Sequence, residues 1–193
     1  MLLSVLPVGP GLALKSILPF KISLISFLFG HLVLEAEVLF WLLQDEIFTH
    51  RYLHSPAGVL LASLIAAPVG LIAGNAFVRL WNKRRTSDTH PLTYIMATTG
   101  PFGHWFSAFA GASATLAINA ATFFDVQPLT PFRNDNPLLG SVPEFMLDVY
   151  AGSLALGGVT AMLASRILLM IPLFKQLIRS RNHPASSSSK TSE

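Results

Sequence analysis

An apolar run at 22–43 carries three ionisable side chains near its middle, His31, Glu35 and Glu37. The run is long enough for a helix to cross a bilayer, which takes about 20 residues. An ionised side chain at the centre of the hydrocarbon costs roughly 2.5 to 3.5 kcal/mol on insertion scales, so such residues usually face a bundle interior or a wet cavity. Two more histidines, His50 and His54, follow shortly after the run. These five residues form the candidate site.

The spacing of these residues indicates a metal site. His31 and Glu35 lie four residues apart and share one helix face, and the same spacing would align His50 and His54 if their segment is helical. Helical histidine pairs at this spacing can converge on one metal ion. Nitrogen and carboxylate ligands without sulfur suit zinc, iron or manganese. We therefore predict metal ligands at four residues and a catalytic base at Glu37, which points to another side of the helix: the ligands are His31, Glu35, His50 and His54.

Whether the two pairs meet depends on where the first helix ends. On one continuous helix His31 and His54 would lie roughly 30 Å apart, because each residue adds about 1.5 Å. The pairs can meet only if the chain turns back after about Gln44, and otherwise they form two subsites. The alternative to a metal site is a buried hydrogen-bonded pair at His31 and Glu35 and ordinary interfacial histidines at 50 and 54.

The composition is that of an integral membrane protein. Of 193 residues, 52% are hydrophobic and only 12% are charged, whereas about a quarter of the residues in a soluble domain are charged. The chain has no cysteine, which excludes disulfides, thiolate ligands and cysteine nucleophiles. The net charge of +3 comes from few charges, so we expect a lipid bilayer and no nucleic acid as partner. Residues 1–14 are uncharged, unlike a cleaved signal, and we expect the first span to be retained.

Hydropathy predicts an all-α bundle of four transmembrane helices at 22–43, 56–81, 102–124 and 149–174. These spans form one domain at 1–184, followed by a disordered, serine-rich cytoplasmic tail at 185–193. Two shorter apolar segments, 12–20 and 92–99, are expected to be membrane-associated. Small residues crowd the third and fourth spans, and we expect these two helices to pack tightly against each other, with a homo-oligomer as the alternative use of this surface.

The distribution of charge predicts the orientation of the bundle. The loops that follow the first and third predicted spans are mainly acidic. Two carboxylates after the third span, Asp125 and Asp135, could reach His50 or His54. The positive-inside rule places both termini in the cytoplasm, because three groups of basic residues precede the first span, follow the second and follow the fourth: Lys15 and Lys21; Arg79, Lys83, Arg84 and Arg85; and Lys175, Arg179 and Arg181.

Three segments of the chain carry a family resemblance. They are LPVGPGLALK at 6–15, HLVLEAE at 31–37 together with HRYLH at 50–54, and DVQPLTPFRNDNPLLG at 125–140. In this order they resemble an uncharacterised group of bacterial membrane proteins labelled membrane-bound metal-dependent hydrolases. The resemblance covers about residues 7–161 and implies a location in the bacterial inner membrane.

The chain also departs from the pattern of this family. Glu35 stands where members usually have Asp, which keeps the carboxylate. The histidine, aspartate and second histidine that members tend to carry in the third span align with Thr115, Asn119 and Phe123, and Pro7 replaces a further histidine. The resemblance therefore implies a chain that has kept the first cluster of ligands and lost the second.

Three classes of function stay open. The first is a non-catalytic or degenerate member that keeps the fold, for example a subunit that binds a lipid or a small molecule. The second is a membrane-embedded hydrolase in which a bound metal activates water against a lipid-linked or phosphorylated substrate. The third is a proton- or ion-coupled transport component that uses the carboxylates as a relay, although four spans without an inverted repeat disfavour a complete transporter.

Overall fold

A computed structural model describes residues 8–18, 21–83, 99–133, 135–143, 146, 148–164 and 167. Within these ranges the chain is all-helical, with no strand. The five helices are α1 (Val8–Ile17), α2 (Leu24–Leu42), α3 (Pro56–Asn82), α4 (Pro101–Thr122) and α5 (Asp148–Ala164). The all-α prediction is confirmed. The tail at 185–193, most of the segment at 92–99 and the end of the fourth predicted span lie outside the described residues, and the extent of the domain, 1–184, stays a prediction.

The helix starts follow local capping chemistry. Ser23 precedes α2 and its hydroxyl accepts a hydrogen bond from the backbone N–H of Ser26 at 3.3 Å. Ser55 does the same for α3, accepting from the N–H of Gly58 at 3.1 Å, with Pro56 in the first turn. Serine at the N-cap and proline in the first turn satisfy or remove the free N–H groups of a helix start. Helix α4 likewise starts with a proline, Pro101, and has Gly100 as its N-cap.

Helices α2, α3 and α4 pack on one another, and α1 packs against α2 and α4. The core between them combines a few large side chains, Phe27 and Leu34, with many small ones. Ala62 and Ala112 lie in one cluster with Leu34 and Val59, and Ala66 and Ala108 lie in another. The large aliphatic side chains of α3 point outward and are exposed, namely Leu60, Leu61, Leu64, Ile65, Val69 and Ile72. This is the reverse of a helix in a soluble protein, whose apolar face is turned toward the core.

Two of the described helices, α2 and α3, are long and apolar enough to cross a membrane. Helix α5 is also apolar, but its described part, Asp148–Ala164, is only 17 residues long. Helix α4 lies where the third span is predicted and carries more polar side chains. Helices α2, α3 and α4 therefore lie where the first three spans are predicted, and α2 and α3 have the length and composition that a membrane span needs.

Two glycines allow α2 and α4 to approach closely. A Cβ at Gly30 would overlap the carbonyl oxygen of Ala108, and a Cβ at Gly111 would overlap that of Phe27. The contact is reciprocal, because each helix lays a glycine on the backbone of the other. The small residues of α4 thus serve contact with α2, whereas Gly158 of α5 lies against the backbone of α1. The expected tight pairing of the third and fourth spans stays a prediction.

We expect Gly111→Ala to lower the free energy of unfolding by about 1 to 3 kcal/mol, the usual cost of overpacking a close contact. Thermal unfolding of the purified protein in detergent would measure it. Gly152→Ala is the matched control, since a Cβ at this exposed position of α5 meets nothing within 4 Å. Equal melting temperatures for the two variants would contradict the role of Gly111.

Candidate functional site

The site begins with the turn that returns the chain to the bundle after α2. Helix α2 ends at Leu42, and Asp45 adopts a left-handed conformation with φ of 57°, which aspartate tolerates better than most residues. The segment 43–55 then leads back to the start of α3. The chain therefore reverses close to Gln44, as a joint site requires.

Glu37 holds this returning segment in place. One carboxylate oxygen accepts a hydrogen bond from the backbone N–H of Tyr52 at 2.6 Å, and the other accepts from the N–H of Leu53 at 2.9 Å. The second oxygen also lies 3.0 Å from Nδ1 of His54. A carboxylate with several N–H donors is well stabilised even when it is buried. Glu37, predicted as a catalytic base, therefore has a positioning role, and the role of base stays untested.

His54 links three parts of the bundle. Its Nδ1–H donates to Glu37, and its Nε2 accepts a hydrogen bond from the Asn119 amide at 3.0 Å. The same amide nitrogen lies 3.4 Å from a carboxylate oxygen of Glu35. A carboxylate beside Nδ1 and an amide N–H beside Nε2 suit the tautomer with its proton on Nδ1. His54 is only 1% exposed, so both of its ring nitrogens are satisfied within the protein.

His50 forms a second pair with a carboxylate, from the segment after α4. Its Nδ1 lies 2.9 and 3.0 Å from the two oxygens of Asp125, which also accepts from the backbone N–H of Thr49 and of His50. The His50 ring meets the His54 ring edge-on at a centroid distance of 4.5 Å and stacks on Phe123 at 4.6 Å. Of the two loop carboxylates considered from the sequence, Asp125 reaches the site, while Asp135 pairs with Arg133 on the surface.

Burial governs the titration of this pair. Burial and the neighbouring His54 both lower the pKa of His50. These two effects outweigh the hydrogen bond and the charge of Asp125, which raise it. Burial opposes ionisation of Asp125, but its hydrogen bonds from His50 and from the two backbone N–H groups outweigh that effect and hold the pKa of Asp125 below its usual value. A neutral His50 that donates to an ionised Asp125 is consistent with both shifts.

His31 lies deeper in the bundle and has its own partner. Its Nδ1 is 3.0 Å from the hydroxyl of Thr115, which in turn donates to the carbonyl of Gly111 at 2.9 Å. Glu35, one turn further along α2, is held by Asn119 instead. Glu35, His50 and His54 are thus linked at one end of the bundle through Asn119 and the contact of the two imidazoles, whereas His31 lies deeper and bonds Thr115.

Three residues in and just after α4 contact these histidines. Thr115 bonds His31, Asn119 bonds His54, and Phe123 stacks on His50. In the sequence, only the expected family resemblance drew attention to Thr115 and Phe123. Among the described residues, no group of three or more His, Asp or Glu side chains is arranged to hold a metal ion.

A second buried polar cluster, at the other end of α2, was not found from the sequence. The hydroxyl of Ser26 lies 2.6 Å from Nδ1 of His104, and the backbone N–H of Ser23 donates to the hydroxyl of Ser107 at 2.9 Å. These bonds join α2 to the first turns of α4. His104, in the third predicted span, could have indicated this cluster in the sequence. Its partners are small polar residues that are scattered along the chain and form no motif.

No family model matches the chain, and no curated protein and no solved structure matches it. The structure itself defines a helical bundle with a buried core of histidines and carboxylates at one end.

We expect Glu37→Gln to destabilise the protein by about 1.5 to 3 kcal/mol, the usual value for a hydrogen bond to a charged group. Glutamine keeps the size of the side chain, but it has only one acceptor oxygen for the N–H groups of Tyr52, Leu53 and His54. Glu46→Gln is the matched control, because its pair with Arg51 is solvent-exposed and is worth at most about 1 kcal/mol. Similar losses in thermal unfolding for the two variants would contradict the anchoring role of Glu37.

We expect the stability of the protein to fall as the pH drops from 8 to 5. The pKa of His50 is lower in the folded state than the ordinary value of about 6.5, so the unfolded state binds more protons below that pH and folding loses free energy. The lowered pKa of Asp125 acts in the same direction below about pH 3.9.

The comparison that checks this is the unfolding of wild type beside His50→Gln, which does not titrate. The difference in the free energy of unfolding should shrink as the pH falls from 8 to 5, because only the wild type has to protonate His50. An equal difference between wild type and variant at every pH in that range would show that His50 does not contribute to the pH dependence of stability.

Proposed function

We propose that the protein is a multi-pass membrane protein of the bacterial inner membrane, with four spans and both termini in the cytoplasm. We further propose that its histidine–carboxylate core is the degenerate, non-catalytic form of a hydrolase metal site. The resemblance of three sequence segments to membrane-bound metal-dependent hydrolases supports the family assignment.

The polarity of the surface supports the membrane assignment. The exposed side chains of α3 are large and aliphatic while its buried ones are small, which suits a surrounding of lipid chains. Charge is divided between the two ends of the bundle. Lys21, Arg79 and Lys83 are at the end where α2 starts and α3 finishes, while Asp45 and Glu46 are at the other end. The positive-inside rule turns the basic end toward the cytoplasm.

The observation that carries the non-catalytic proposal is the way in which α4 covers the histidines. Asn119 donates to Nε2 of His54, the nitrogen that a metal ion would otherwise take. Phe123 lays its ring on His50. Family members place ligands at these aligned positions, whereas this chain places groups that bond or cover the histidines.

A closed network of this kind has a structural value. A buried polar group without a partner is costly, whereas a fully bonded network offsets that cost and holds helices in one arrangement. The two histidine–carboxylate pairs tie the segment 43–55 to α2 and to the segment after α4. The core therefore fastens one end of the bundle together.

One feature favours the hydrolase as the second candidate. Nδ1 of His50 and of His54 each faces a carboxylate, and metal-bound histidines commonly donate their other N–H to such a group. His50, His54 and Glu35 would hold zinc, iron or manganese if Asn119 moved aside. The metal would supply an activated water for hydrolysis of a lipid-linked or phosphorylated substrate.

Metal content separates the two candidates. Elemental mass spectrometry of detergent-purified wild type should find well below one zinc, iron or manganese per chain. A variant with Thr115→His, Asn119→Asp and Phe123→His restores the ligand types of the family. It should take up about one equivalent of zinc when zinc is supplied during purification.

The opposite result would favour the hydrolase. About one metal per chain in wild type, lost in a His50→Ala/His54→Ala variant that keeps its helical circular dichroism, would overturn the non-catalytic proposal. A restored variant that keeps the same circular dichroism but gains no metal would contradict the placement of the three aligned positions.

A further inference from the structure

We propose that two sets of aromatic side chains mark where the protein meets the two headgroup layers of a bilayer. This rests on the membrane assignment proposed above and adds the position of the bilayer on the molecule. The first girdle consists of Trp41, Phe48, Tyr52 and Phe124, and the second girdle consists of Phe77, Trp81 and Phe102. Trp105 lies inward of the second girdle, packed against Ala66, Ala67 and Ala108 with its indole nitrogen buried.

The first girdle surrounds the end of the bundle that contains the histidine–carboxylate core. Trp41 and Tyr52 lie with ring centroids 6.1 Å apart, and Phe48 meets Phe124 edge-on at 6.1 Å. Tyr52 is 70% exposed and Phe124 is 66% exposed. The guanidinium of Arg51 lies 4.2 Å over the Trp41 ring, so apolar rings and a charged group stand together, as at a membrane interface.

The second girdle has the same character at the other end. Phe77 stacks on Trp81 at 5.8 Å, and Phe102 lies 5.7 Å from Trp105. Phe102 is 74% exposed. The exposed basic residues at this end are Lys21, Arg79 and Lys83, which would face the anionic headgroups of a cytoplasmic leaflet.

The distance between the girdles matches a bilayer. Helix α3 starts four residues after Tyr52 and reaches Phe77 about 32 Å further along its axis. The hydrocarbon of a typical bilayer is about 30 Å thick. Between Pro56 and Phe77 the sequence of α3 contains no aromatic residue, and its exposed side chains there are mainly aliphatic. A partner protein would impose no such spacing, so the lipid bilayer is the occupant that the surface fits.

This position has a consequence for the buried core. Glu37 accepts a hydrogen bond from the backbone of Tyr52 and pairs with the side chain of His54, and His50 stacks on Phe123, the neighbour of Phe124. The core therefore lies at the depth of the headgroups and not at the centre of the hydrocarbon. Glu35 and His31, about 9 and 15 Å before Trp41 along α2, lie deeper.

Quenching of tryptophan fluorescence tests the proposal. Full-length proteins with a single tryptophan at 41 (Trp81→Phe, Trp105→Phe) or at 81 (Trp41→Phe, Trp105→Phe) would be reconstituted in phosphatidylcholine vesicles brominated at different depths of the acyl chain. The reference protein lacks all three and carries Ile65→Trp on the exposed middle of α3. Shallow bromines should quench Trp41 and Trp81 at least twofold more than deep ones, and the reference should show the opposite order.

Two outcomes would overturn the girdles while leaving the membrane assignment intact. One is that Trp41 or Trp81 follows the depth profile of the reference. The other is that Trp41 is quenched at no depth although the chain stays in the vesicles after alkaline carbonate extraction, which would show that water or another protein covers it. Release of the chain by carbonate would instead contradict the membrane assignment itself. Equal helical circular dichroism of the variants shows that each has kept its fold.

Discussion

The bond between Glu37 and the segment that follows α2 is the interaction on which the rest of the site depends. A carboxylate buried in an apolar helix would be costly alone, but it receives two backbone N–H groups and the imidazole of His54. These bonds determine where the chain goes after its reversal at Asp45. His50 and His54 reach the bundle because of it, and Asp125 can then bond His50 from the opposite side.

The site also depends on the close approach of α2 and α4. Gly30 and Gly111 place backbone against backbone, and short side chains such as Thr115 can then reach across to His31 at 3.0 Å. Polar groups that would be stranded on a single apolar helix become satisfied between two helices. The buried histidines therefore depend on the small residues for their partners, because the hydrogen bonds are too short to span a wider gap between the helices.

Much of the fold could be predicted from the sequence, but the partners of its elements could not. Apolar length locates α2, α3 and α4 to within a few residues. The small residues of the third span correctly indicate a close contact, yet the pattern does not say which helix makes it, and the partner of α4 at Gly111 is α2. Likewise, His104 is visible in the sequence, but nothing there predicts that Ser26 lies beside it, 78 residues earlier in the chain.

The sequence by itself determined the all-helical class, the positions of its apolar helices and the few ionisable residues that such helices can carry only at a cost. These follow from composition and from spacing within one helix, which are local properties. The tertiary structure alone decided that Glu37 would anchor a turn, that Asn119 would bond His54 and that Phe123 would cover His50. Each of these contacts joins segments far apart in the chain, so it depends on where the chain reverses and how closely the helices approach.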